Sequence, residues 1–397
     1  MNGKKTIIIS SILLLVIIIL VGLIRFVVQP KLEQSINRVV PHQPYPIRKD
    51  VARQHAELTI MDWHSDSLLW ARDLLKRSDY GHVDIPRLQQ GNVAIQTFIA
   101  VTKSPSGQNY EENRADSDNI TPLAVLQFWP PSTWNNLTER ALYQARRLHG
   151  FSELAPELFQ ILKGRGQLRQ LLGARQAAKE KGTQPVIAGM LGIEGCHALE
   201  GNLQNVKILY DAGYRMMGLH HFFDNKLGGS LHGTSQAGLS EFGKEVVREL
   251  NKQEIIIDLA HSSTAVVDDV LDISTRPMVV SHTGVYSVCK SPRNIPDRLL
   301  KQIAWKGGLI AIGYWEGAVC DISPEGVVKS IRYAIDLLGE DYVALGSDFD
   351  GSTKTMFDTS ELAILTQTML NAGFSDREIS KVMGGNAIKF LLKNLPE

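Results

Sequence analysis

The chain of 397 residues is poor in cysteine and carries no net charge, and both features narrow what it can be. Its three cysteines are too few, and odd in number, for a disulfide framework, although one pair remains compatible with an oxidising compartment. Lysine plus arginine and aspartate plus glutamate both number 42, so no basic surface for nucleic acid is indicated. The glycine-rich stretches lack the strand–GxxxxGK–helix context of a phosphate-binding loop. In other respects the composition is that of an ordinary globular protein of the size of an enzyme.

One long hydrophobic run is present, and it lies at the N-terminus. Lys4 and Lys5 precede an uncharged run over residues 6–24, which Arg25 follows. As a helix, this run would measure about 28 Å, close to the hydrocarbon thickness of a bilayer. A cleaved signal peptide is the alternative, but the run is longer than usual and no small-x-small cleavage site follows it. We therefore predict a transmembrane signal anchor within residues 1–30, embedded through 6–28, with the catalytic part on the periplasmic or extracellular side.

Beyond a linker and first helix over residues 31–57, short apolar runs alternate with amphipathic helices. The eight runs are Leu58–Met61, Val93–Ile99, Val186–Ile193, Tyr214–Leu219, Ile255–Leu259, Met278–Val280, Leu309–Ile312 and Val343–Leu345. Near-continuous apolar runs are typical of parallel strands that are buried on both faces. The alternation predicts an α/β fold, a (β/α)8 TIM-type barrel over residues 58–397, with an insertion at 101–185 after the second strand.

Chemically active side chains follow several of these runs, at the end where such a barrel gathers its catalytic residues. They are His64, Asp66, Glu194, His220, His221, His261, His282, Asp348 and Asp350. A single histidine beside an apolar run is more often a packed core residue than a ligand, but histidines at four strand ends indicate a shared site. Imidazoles and carboxylates suit zinc or a similar divalent ion, and five ligands with one bridging carboxylate suit two ions. The pattern therefore predicts metal-dependent hydrolysis.

The motifs DWHSD, GIEG, GYRMMGLHH, DLAHSS, VSHTG, SPRN and LGSDFDG occur in that order along the chain. This series resembles the renal-type membrane dipeptidases, peptidase family M19, from about residue 58 to the C-terminus. The resemblance implies a barrel with two Zn²⁺ ions that hydrolyses dipeptides by a hydroxide activated by both metals. It also implies tolerance of a D-residue at the C-terminal position of the substrate.

The resemblance further implies which residues hold the metals. His64 and Asp66 would bind the first ion, and His261 and His282 would bind the second. Glu194 would bridge the two ions, which places it among the catalytic residues as well.

Three more residues match positions that the family uses for substrate and catalysis. Arg293 resembles the arginine that binds the substrate carboxylate, for which a planar guanidinium is suited. His221 resembles a substrate-contacting histidine and is expected to help stabilise the tetrahedral oxyanion. Asp348 resembles an active-site aspartate that contacts substrate and serves as general acid or base. Trp63 departs from the family motif, and we expect its bulk to reshape the pocket beside the metals.

Two alternatives stay open at this point. One is a cyclic-amide or ester metallohydrolase on the same barrel, against which the His-x-Asp spacing argues. The other is a metal-free, membrane-anchored binding protein, against which the complete set of ligand types argues. The sequence leaves the physiological substrate and the oligomeric state open, a homodimer included.

Overall fold

The computed structural model describes residues 2–397, and its side chains from residue 5 onwards. Eight parallel strands form a closed sheet in which consecutive strands pair, the first strand pairs with the last, and the second with the third. The strands are β1 (Ile60–Ser65), β2 (Val93–Val101), β3 (Ile187–Glu194), β4 (Tyr214–Gly218), β5 (Ile256–Asp258), β6 (Val279–Thr283), β7 (Leu309–Ile312) and β8 (Val343–Leu345). The predicted barrel is therefore confirmed, and each predicted apolar run overlaps one of its strands.

Helices occupy the connections and both ends of the chain. They are α1 (Asn2–Leu23), α2 (Gln29–Ile36), α3 (Lys49–Glu57), α4 (Ile85–Gln90), α5 (Ile120–Leu126), α6 (Leu137–Leu154), α7 (Arg165–Lys181), α8 (Gln204–Asp211), α9 (Glu241–Lys252), α10 (Thr264–Ile273), α11 (Asp297–Trp305), α12 (Glu316–Val319), α13 (Pro324–Leu338), α14 (Ala363–Asn371), α15 (Asp376–Ser380) and α16 (Asn386–Asn394). Helix α9 shows how the local sequence sets such an element. The Ser240 hydroxyl accepts a hydrogen bond from the Gly243 N–H at its start, and Val246, Val247 and Leu250 form its buried face.

Three short strands lie outside the eight predicted runs. Phe159–Ile161 pairs with the first residues of β3, on the edge that β4 occupies further along. Arg38–Val39 pairs with Lys354–Thr355 and so brings the segment after α2 onto the loop that follows β8. Strands of two or three residues are too short to show an alternating pattern, so no sequence pattern indicates them.

The N-terminal run is helical, as expected. Helix α1 continues through a π-helical turn at Ile24–Val28 into α2. Its apolar part is exposed and has a mean hydropathy of 3.4, so by length and composition it can cross a membrane. A signal sequence near the N-terminus has the same properties. The exposed aliphatic surface requires a lipid-like environment or a partner.

The cysteines form one pair. A disulfide joins Cys289, in the loop after β6, to Cys320, at the end of α12. Cys196 is the one free cysteine among the residues that the structure describes, and it is buried. Burial raises the pKa of its thiol to about 12, so it is an inert packing residue rather than a nucleophile or a ligand.

Candidate active site

The residues predicted as metal ligands converge at the carboxyl ends of the barrel strands, around the side chain of Glu194. This residue ends β3, and its Oε1 lies 3.0 Å from His261 Nε2, 3.3 Å from His282 Nε2 and 3.8 Å from His64 Nε2. Its other oxygen, Oε2, lies 3.3 Å from His221 Nε2. One carboxylate therefore faces imidazoles from four different strand ends.

Three sets of side chains bring their ligand atoms within 4.8 Å of one another. These sets are His64–Asp66–Glu194, Glu194–His261–His282 and His64–His282–Asp348. Each of the first two sets consists of one predicted ligand pair together with Glu194, which both sets share. The third adds Asp348, whose Oδ1 lies 3.8 Å from His64 Nε2. Asp348, predicted as an acid or base, thus also lies within reach of a metal ligand.

The donor atoms of this cluster fit a cation. His64 Nε2, Asp66 Oδ1 and Glu194 Oε1 are buried, and none forms a hydrogen bond within the part of the chain that the structure describes. Leaving a buried polar atom unsatisfied costs about 1–3 kcal/mol, more for a charged group. Imidazole nitrogens and carboxylate oxygens that converge on one point are the ligands that zinc prefers. The residues present therefore suit a divalent metal.

The electrostatics of the cluster support the same conclusion. Burial raises the pKa of Glu194 well above its ordinary value and raises the pKa of Asp348 to about 8. Burial opposes a charge on His64, but Glu194 and the neighbouring carboxylates outweigh it and raise the pKa of that imidazole to about 10. The pKa values of His261 and His282 are well below normal because burial disfavours their charged forms. Neutral imidazoles beside buried carboxylates favour a cation.

A serine that the sequence did not single out orients two of the imidazoles. The Ser281 hydroxyl donates to Asp258 Oδ2 at 2.6 Å, so its oxygen is free to accept. His64 Nδ1 lies 3.0 Å and His282 Nδ1 lies 2.8 Å from this oxygen. The Ser281 oxygen therefore accepts an Nδ1–H group from each ring, and this contact directs both Nε2 atoms into the cluster. Asp258 thus supports both imidazoles through Ser281.

Arg293 lies beside the cluster in a cavity of about 550 Å³. Its side chain is buried, its Nη2 donates to the His282 carbonyl at 2.9 Å, and its guanidinium faces the Trp315 ring at 5.3 Å. Its Nη1 has no partner among residues 2–397. Asp297, the acidic residue four positions further along the chain, accepts hydrogen bonds from Tyr333 and Ser287. Arg293 is thus free to bind an anionic group in the cavity.

His221 is held by the insertion. Its Nδ1 donates to the Lys103 carbonyl at 3.1 Å, and a carbonyl can only accept, so the Nδ1 carries the proton. Burial lowers the pKa of this histidine to about 3. Its Nε2 can therefore donate a hydrogen bond only when the ring takes up a second proton. The negative charge of a nearby oxyanion would favour this second protonation.

A family model described as membrane dipeptidase (peptidase family M19) matches residues 48–394. The chain belongs to this family. It is 32% identical over 353 residues to the dipeptidase verJ of Clonostachys rogersoniana, covering 85% of this chain and 84% of that protein. It is 26% identical over 362 residues to the dipeptidase aclJ of Aspergillus oryzae, covering 84% and 77% respectively. This family member is accordingly a dipeptidase.

Solved structures share its fold. The dipeptidase AC, a family M19 metallopeptidase, has a TM-score of 0.69 at 24% identity, covering 86% of this chain and 99% of the other. A metallopeptidase of Rhodobacter sphaeroides, solved with a phosphinate mimic of the dipeptide L-Ala-D-Ala, has a TM-score of 0.67 at 23% identity. It covers 85% of this chain and 99% of that one.

The expectation for Trp63 is wrong. Its side chain is fully buried and packs edge-on against Phe390 of α16, with ring centroids 5.8 Å apart. Trp63 belongs to an apolar cluster to which all eight barrel strands contribute, so its ring packs in the interior of the barrel. The lining of the cavity does not include it. The tryptophan of this dipeptidase is therefore part of the core and does not shape the pocket.

Two aromatic residues that the sequence did not reveal lie at the site. Tyr110, in the insertion, lines the cavity, and its hydroxyl accepts a hydrogen bond from Trp315 Nε1 at 2.9 Å. His232 donates from Nδ1 to the Tyr110 carbonyl at 2.8 Å, and its ring lies 5.2 Å from that of His261. Neither follows a barrel strand, so the strand-end pattern could not find them.

The Ser281 arrangement leads to a test of metal affinity. Replacing Ser281 by alanine removes the acceptor of two Nδ1–H groups and should weaken metal binding by roughly 10–100-fold. Zinc competition titration against a chromophoric chelator measures this directly. Ser281→Thr keeps the hydroxyl and is the matched control, and an alanine variant with wild-type zinc affinity would contradict the orienting role.

Proposed function

We propose that this dipeptidase is a binuclear zinc enzyme, with Glu194 as the ligand shared by both ions. The observation that carries the proposal is the position of the Glu194 carboxylate between two ligand sets. His64 and Asp66 would hold one ion, and His261 and His282 would hold the other. When bound, two such ions polarise a scissile carbonyl and supply an ionised water near neutral pH.

The residues around the cluster would then bind and orient the dipeptide. Arg293 has a free Nη1 in the cavity, and its Nη2 lies 3.2 Å from His261 Nε2. A substrate carboxylate held by this guanidinium would lie one residue away from a carbonyl at the cluster, which restricts the substrate to a single residue on that side. Arg293 would thus select the C-terminal residue of a dipeptide.

Two further residues would handle charge and protons. Asp348 Oδ1 faces the cavity beside His64 and would carry a proton towards the leaving amine. His221, held by the Lys103 carbonyl, would turn its Nε2 towards the oxygen on which charge develops. Both side chains reach the same cavity as Arg293.

We further propose that the C-terminal residue of the substrate can be a D-residue. Its carboxylate would be fixed by Arg293, and the cavity of about 550 Å³ leaves room for either configuration of the adjoining side chain. The L-Ala-D-Ala mimic in the Rhodobacter sphaeroides relative supports the proposal.

The proposed location is outside the cytoplasm, with the chain anchored through its N-terminal helix. The helix has the length and composition for a single span. The Cys289–Cys320 disulfide supports this location, because such bonds persist mainly in oxidising compartments.

A panel of dipeptides tests the proposed function. The full chain, purified in detergent, is expected to hydrolyse L-Ala-L-Ala and L-Ala-D-Ala, to lose activity with a chelator and to regain it with zinc. Elemental analysis should find two zinc ions per chain. Activity that survives complete metal removal, or full activity with one ion per chain, would contradict the binuclear mechanism.

A further inference from the structure

Helix α2, which follows the proposed membrane span, forms part of the catalytic pocket. Leu32 and Ile36 of α2 are one helical turn apart, are half-buried, and line the cavity that also contains Asp66 and Asp348. Helix α2 therefore contacts whatever occupies that part of the cavity.

Helix α2 is fixed to the loop that carries Asp348. Glu33 is buried and forms an ion pair with Arg72, and Arg72 Nη2 lies 2.5 Å from Asp350 Oδ2. The side chain of Asn37 accepts a hydrogen bond from the Ser352 N–H at 2.8 Å. Charged groups that are buried together hold a fixed geometry, because separating them would leave one unpaired. The position of α2 against the site is thus specified by the fold.

Apolar side chains from three segments form one continuous surface around α2, which we call the apolar wall. Its members are Leu32, Ile36, Leu69, Trp70, Leu123 and Leu126. The middle pair follows β1, and the last pair belongs to α5 in the insertion after β2. Gln29 Nε2 donates to the Leu126 carbonyl at 2.6 Å and joins α2 to α5.

The apolar wall lies across the cavity from Arg293. In a closed barrel of eight strands, β1 and β2 are opposite β5 and β6, and Arg293 lies in the loop after β6. The metal ligands lie between these two sides. The cavity volume of about 550 Å³ falls in the range of pockets that bury drug-sized ligands, so it exceeds what a dipeptide with small side chains fills.

We propose that the apolar wall is a subsite for a large apolar side chain on the N-terminal residue of the substrate, and that α2 supplies part of it. This inference rests on the proposed function, in which Arg293 holds the C-terminal carboxylate. With that end fixed, the N-terminal residue extends past the metal ligands towards the apolar wall. Burial of an aliphatic or aromatic side chain there would favour binding by removing apolar surface from water.

The test is a Leu32→Asn variant of the full chain in phosphatidylcholine nanodiscs. The wild type should prefer Leu-Gly and Phe-Gly over Gly-Gly. The variant should lose about tenfold in kcat/KM for Leu-Gly and Phe-Gly, mainly through KM, since small changes in an apolar pocket have effects of this size. Gly-Leu, whose large residue lies on the Arg293 side, should change less than twofold. Leu154→Asn is the matched control, because Leu154 is exposed on α6 and lies outside the cavity lining.

The outcomes are distinct. An equal loss for Leu-Gly and Gly-Leu would mean that Leu32 only supports the fold, and an unchanged preference would mean that the apolar wall does not bind substrate. Either result overturns the subsite. Absence of hydrolysis of every dipeptide by the wild type would instead overturn the proposed function. If Leu32→Asn does not fold, Leu123→Asn alters the same wall from the other helix and replaces it.

Discussion

Replacing Glu194 by alanine should abolish turnover, with a loss of at least about 10³-fold in kcat, because the variant loses the carboxylate that both ligand sets share. Glu194 Oε1 lies 3.0 Å from His261 Nε2, 3.3 Å from His282 Nε2 and 3.8 Å from His64 Nε2. Steady-state kinetics and elemental analysis together measure the effect. Glu194→Gln keeps the shape without the charge and should retain at most one ion.

A thermal melt separates this loss from misfolding. Burial raises the pKa of Glu194, so its charged form is costly in the metal-free protein, and removing it should not lower the melting temperature of that form. Glu157→Ala, at an exposed position, is the control for carboxylate removal. Retention of both metals and of activity within tenfold of the wild type by Glu194→Ala would refute the bridging role.

Replacing Arg293 by alanine should lower kcat/KM for dipeptides with a free C-terminal carboxylate by about 10²–10³-fold, because truncating one partner of a buried ion pair costs about 2–5 kcal/mol. C-terminally amidated dipeptides should lose far less, since they have no carboxylate to bind. The ratio of kcat/KM for free and amidated substrates is the measurement. This ratio should fall towards one in the Arg293→Ala variant.

Two further variants sharpen this result. Arg293→Lys keeps the positive charge but not the planar fork, so it should recover only part of the preference. Arg298→Ala removes an exposed arginine that pairs with Asp268 and should behave like the wild type. An Arg293→Ala variant with an unchanged preference for free carboxylates would contradict the clamp.

The sequence was sufficient for the barrel and for the residues that meet at its rim. Parallel strands that are buried on both faces leave near-continuous apolar runs, and closing eight of them brings every carboxyl end to one side. Glu194, His261 and His282 therefore meet in space because each lies within three residues of the end of a strand. The N-terminal helix could also be predicted from the sequence, since length and composition alone define an apolar span.

Side-chain direction and long-range contact were decided only by the tertiary structure. Trp63 adjoins His64 in sequence, yet its ring packs against Phe390 of α16 in the apolar core and does not line the cavity. Ser281 orients two imidazoles only because β5 brings Asp258 beside it.

The apolar wall is the clearest case. Leu32 lines the pocket because the buried ion pair between Glu33 and Arg72 holds α2 in place. Glu33 and Arg72 are far apart in the chain, so no local sequence pattern predicts their contact. The sequence by itself thus determined the fold and which side chains converge at its rim, because both follow from periodic burial and strand order. The shape of the pocket, and with it the choice of substrate, was decided by the packing of distant segments against one another.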